Sequence, residues 1–127
     1  MTHEDYVTLE QAKELKRLGF DYDCLSTFIE YPDGFCMVDD ELSDHEKQFK
    51  TYPAPTLTKV AKWLREEHHL SVLVKLNGLR TMWFSEVWTM TTNGPVYNEP
   101  GVLFESYDEA LSHGISKALE LLADKEQ

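Results

Sequence analysis

The sequence predicts an α+β fold ordered helix–hairpin–helix–hairpin–helix, with a mainly antiparallel sheet of four to five strands packed against three helices. Three observations predict it. Apolar residues recur at helical spacing in three segments, two of them opened by a capping-box pattern. Strand-like runs rich in aromatic and β-branched residues lie between these segments. Turn signals, Pro32-Asp33-Gly34 and Asn77-Gly78, divide those runs into hairpins. Hairpins pair locally and antiparallel, whereas a doubly wound parallel sheet needs single strands between helices. At 127 residues one α+β domain, 1–127, is expected.

The elements follow in order. Thr8-Leu9-Glu10-Gln11 opens the first helix, Leu9, Ala12, Leu15 and Leu18 form its stripe, and Gly19-Phe20 stops it. Residues 24–38 form two strands around a three-residue turn with a bulge. That register sets Cys36 opposite Glu30 and Cys24 near Leu42. Leu25, Thr27, Ile29 and Tyr31 then share a face with Phe35 and Met37, opposite Phe28, Cys36 and Val38. Residues 39–55, polar and closed by Pro53-Ala54-Pro55, read as a long loop. Thr56 caps the second helix, whose stripe is Leu57, Val60, Ala61, Leu64 and His68, widened by Trp63. The run 71–76 is a strand, and a two-residue Asn77-Gly78 turn pairs Leu76 with Leu79, Val74 with Thr81 and Val72 with Trp83. An aromatic strand returns from Thr81 to about Thr92. Asn93-Gly94-Pro95 turns the chain toward a short edge strand near Val102 to Phe104. Ser106 to Glu109 is the second capping box, leading a stripe of Tyr107, Ala110, Leu111, Gly114, Ile115, Ala118, Leu119 and Leu122.

Composition limits the function classes. The apolar share of 42% and charged share of 28% are those of a globular protein. The longest apolar runs fall far short of the ~20 residues a membrane helix requires. The first residues are polar and acidic, unlike a secretory leader. Free thiols at Cys24 and Cys36 fit a reducing compartment, so a cytoplasmic protein is expected. A formal net charge of −11 repels phosphate backbones, arguing against direct nucleic-acid binding.

Candidate chemistry is sparse. The acidic segment 39–46, beginning at Asp39, offers carboxylates to a divalent cation. It lacks the central glycine and twelfth-position glutamate of a calcium loop, and reads as a solvated loop. His68 and His69 are adjacent, ~100° apart on a helix, so they do not converge on one metal. Glu86 shares a strand face with Met82, Phe84 and Trp88; an edge position beside solvent is the plainer reading of a carboxylate there. No nucleophilic triad, phosphate loop or zinc spacing occurs, and no catalytic residue, cofactor or metal site is expected. Lys59, Lys62 and Arg65 on the second helix, with Lys75 and Arg80, form the region free of acidic excess. Aromatics make up 12% of the chain, and Trp83, Phe84 and Trp88 are concentrated in one strand. Exposed aromatics mark binding surfaces.

Three segments, YVTLEQAKELKRLGFD, PAPTLTKVAKWLREEHHLSV and FESYDEALSHGISKALELL, resemble a group of short uncharacterised bacterial proteins, some associated with prophage or other mobile DNA. The resemblance covers roughly two fifths of the chain and implies a compact stand-alone protein, with no activity to carry over. The opening helix also resembles that of excisionase-type helix-turn-helix proteins, although the following hairpin and the acidic charge depart from that pattern. The leading expectation is a non-enzymatic protein-interaction module, self-association included, using Trp83, Trp88, Phe84, Lys59, Lys62 and Arg65. The alternative is an acidic nucleic-acid mimic that inhibits a DNA- or RNA-binding protein. Third is a small enzyme whose pocket would gather polar groups such as Glu86, His68 or Asp39.

Overall fold

The computed structural model describes residues 6–39, 41–89 and 94–125. They fall into two compact units, Tyr6–Thr56 and the chain from Leu57 onward. The fold is α+β, but the order among the described residues is helix, three strands, helix, three strands, helix. Two three-stranded antiparallel sheets replace the one expected.

In the first unit, helix α1 spans Leu9–Arg17. The Gln11 N–H donates to Thr8 Oγ1 at 3.2 Å, and the Thr8 N–H donates to Gln11 Oε1 at 2.9 Å. Such a cap stabilises a helix by about 1 kcal/mol. At the other end Gly19 takes φ 87°, its N–H donating to Lys16 O while that of Phe20 donates to Leu15 O. This doubly bonded glycine stop satisfies carbonyls the helix leaves open. Ala12, Leu15 and Leu18 are buried.

Strands β1 (Thr27–Tyr31), β2 (Gly34–Val38) and β3 (Lys50–Pro53) pair in the order β2-β1-β3. Tyr31 faces Gly34, so the turn holds two residues, not three. Gly34 opens β2 with φ 154°, backbone that L side chains rarely adopt. The one-residue slip exchanges the faces of β2. Cys36 lies opposite Ile29 rather than Glu30, and Phe28 shares a face with Phe35, their rings 5.6 Å apart. Both cysteines remain thiols.

The segment expected as a loop holds a 3-10 turn (Glu46–Gln48) and β3, which sets Lys50 opposite Glu30 and Tyr52 opposite Phe28. Its sequence is polar and ends in proline. An edge strand tolerates both, because proline's missing donor can face away from the ladder.

In the second unit, helix α2 (Leu57–His68) buries Leu57, Val60, Trp63 and Leu64 and stops at His69, φ 57°. Strands β4 (Leu70–Leu76), β5 (Trp83–Thr89) and β6 (Pro95–Asn98) follow in the order β4-β5-β6. The Asn77-Gly78 turn was expected to pair Leu76 with Leu79; Leu76 instead faces Trp83 across a wider loop. Asn77 holds that loop: its Oδ1 accepts from the N–H groups of Thr81 (3.0 Å) and Met82 (3.3 Å). An asparagine that can cap with its side chain need not occupy a tight turn. The shift is four residues, an even number, so the face assignments of β5 survive.

The edge strand is Pro95–Asn98, not Val102 to Phe104. Phe104 makes only an isolated bridge, exchanging two 2.8 Å backbone bonds with Trp83. Part of the aromatic strand's expected end, with Asn93, lies outside the described residues. Helix α3 (Tyr107–Lys125) opens on Ser106, whose Oγ accepts from the Glu109 N–H at 3.1 Å. It buries every member of the expected stripe except Tyr107, which is exposed. Gly114 sets the distance between helix and sheet. A Cβ there would lie 2.6 Å from Val72 Cγ1 and 2.9 Å from Ser85 Cβ, so only glycine admits this approach.

Candidate interaction surface

Strand β5 is the middle strand of its sheet, and alternation gives it two unlike faces. Ser85 and Val87, both buried, point with Val72 toward α3. Phe84, Glu86 and Trp88 point the other way, opposite Lys75, Leu73 and Ser71 of β4. Leu73 is 41% exposed, and Phe84 and Trp88 are half-buried.

Glu86 sits in the middle of that second face. The edge position expected for it does not hold: it occupies the central strand and is 6% exposed. Its Oε1 accepts from Trp88 Nε1 at 2.9 Å and pairs with Lys75 Nζ at 3.0 Å. Loss of water around the carboxylate acts to raise its pKa. The indole donor and the ammonium together outweigh that and hold it below its ordinary value. The charge is therefore kept, neutralised in place, and framed by Leu73, Phe84 and Trp88.

The expected contact residues come from two elements, β5 and α2. Trp83 lies on the α3 side, its ring 5.4 Å from Tyr107. Phe84 and Trp88 share the opposite face. Lys59, Lys62 and Arg65 belong to α2, with Lys62 and Arg65 exposed. The three polar groups named for an enzyme pocket each have a local role. Glu86 pairs with Lys75, His68 meets Trp63 edge-on at 4.5 Å, and Asp39 accepts from Ser26 Oγ at 2.6 Å. In the acidic segment Glu46 accepts from the Ser43 N–H at 2.8 Å, and Asp40 lies outside the described residues. Among the described residues no three His, Cys, Asp or Glu side chains converge as metal ligands. Nor is any helix among them long and apolar enough to cross a membrane.

A second polar group escaped the sequence reading. Tyr97 of β6 and His113 of α3 are hydrogen-bonded at 2.8 Å (hydroxyl to Nε2), with Phe104 5.0 Å from the imidazole and Lys117 over the Tyr97 ring. Burial first, then the Lys117 charge, lowers the His113 pKa, so the ring is neutral near pH 7. The arrangement ties helix to edge strand.

No family model, curated protein or solved structure matches the chain.

Proposed function

We propose that this protein is a non-enzymatic protein-interaction module whose contact surface is the β4–β5–β6 face turned away from α3. One observation carries the reading: large apolar side chains, Leu73, Phe84 and Trp88, stand part-exposed around a single neutralised ion pair. Contact surfaces combine such aromatic anchors with few unpaired charges at their centre. The partner is a protein, because a chain of net charge −11 disfavours phosphate backbones. A cytoplasmic setting accords with the two thiols, and the quoted segment resemblance suggests a bacterial, prophage-associated one.

Affinity capture with wild-type protein and Phe84→Ser tests the reading. Wild type should retain a defined partner, itself included, that Phe84→Ser loses. Identical capture by both, or none by wild type, would remove this surface from consideration.

A further inference from the structure

Edge strands expose unpaired N–H and C=O groups, and proteins ordinarily blunt them with proline, bulges, shortness or charge. The two edges of the second sheet differ in this respect. Strand β6 is four residues long, begins at Pro95 and carries a register irregularity beside Trp88. Strand β4 is seven residues long, pairs with β5 without a bulge, and contains one charge, Lys75. Among the described residues no strand pairs with its outer side.

We infer that β4 is the self-association edge of this protein, pairing antiparallel with β4 of a second copy to give one continuous six-stranded sheet. This deepens the interaction reading above and rests on it. The strand is self-complementary about Leu73. In that two-fold register Leu73 meets Leu73, Val72 meets Val74, Leu70 meets Leu76, and Ser71 meets Lys75, each pair on a common face. No charge lies directly opposite a like charge. Copies carrying −11 each repel one another over most of their surface, whereas here the sole charge of β4 is already neutralised 3.0 Å away by Glu86. A second copy can approach along this strip without an opposing field. Pairing also continues the part-exposed Leu73, Phe84 and Trp88 surface across the two-fold axis.

Sedimentation velocity over about a hundredfold range of concentration tests this with wild type, Leu73→Lys and Leu79→Lys. Leu79 is 82% exposed in the loop beyond β4, so its substitution controls for added charge. Wild type and Leu79→Lys should dimerise alike. Leu73→Lys sets two ammonium groups face to face on the axis and should weaken dimerisation at least about tenfold. Because Leu73 is part-exposed, a folded variant is expected, and circular dichroism verifies it. Hydrogen exchange should protect the outward β4 amides in the wild-type dimer and release them on dilution. A monomeric wild type, or a dimer indifferent to Leu73→Lys, overturns the inference. Loss of partner capture by Phe84→Ser in that same event would leave the interaction surface standing while the edge pairing fell.

Discussion

Glu86 is a carboxylate on a sheet face, flanked by rings, with most of its water removed. An isolated buried carboxylate is costly, yet its two donors keep it ionised. Because its folded pKa lies below the ordinary 4.5, it contributes stability above that value and loses it as pH falls through the depressed one. Glu86→Gln retains an acceptor for Trp88 and gives up the ion pair. Lys75 is half-exposed and can return to water, so the cost should be about 1 kcal/mol rather than the several of a fully buried pair. Urea denaturation at pH 7 measures that cost. Repeated at pH 3, the two proteins should differ less; an equal difference at both values would separate Glu86 from the acid response. The residue's identity was legible as unusual in the sequence. Trp88 was legible as a neighbour on the same face, but Lys75 was not, since it reaches Glu86 only through the ladder.

Turns show how a local signal can be used in a way its residues do not announce. Both glycine dipeptides mark turns, and a glycine in a turn commonly takes positive φ. In the structure Gly34 does so, at 154°, while Gly78 falls outside that range. The work at the second turn is done by Asn77, whose side chain holds Thr81 and Met82, and Arg80 takes the left-handed conformation at φ 57°. Gly34→Ala should therefore cost about 1–2 kcal/mol, and Gly78→Ala should change stability by no more than about 0.5 kcal/mol. Thermal melts of the two variants decide it; equal losses would contradict the assigned loop geometry. Strand β3 was missed for a related reason. Four residues of polar alternation ending in proline carry little propensity, and it is β1 that makes them a strand.

Across the molecule, charge is uneven: residues 6–56 carry eleven acids against five bases, and 57–127 ten against seven. The exposed pairs, among them Lys13–Glu30 at 2.8 Å, contribute little in water. At a formal net charge of −11, repulsion is expected to outweigh them. Raising ionic strength from low to physiological should therefore stabilise the protein by about 1 kcal/mol, several degrees in Tm. A Tm that falls with added salt would show the attractive pairs to dominate.

The chain's own pattern determined the three helices, most of each stripe, the glycine stop of α1, the antiparallel pairing, and which β5 residues share a face. Each depends on contacts between residues near in sequence: caps three apart, stripes three and four apart, alternation by two. Tertiary structure alone decided the strand registers, the conversion of 50–53 into β3, the division into two sheets, and the Lys75–Glu86–Trp88 cluster on a part-exposed face. These depend on which of several near-equivalent pairings buries the most apolar surface while satisfying the backbone, a comparison that local sequence cannot make.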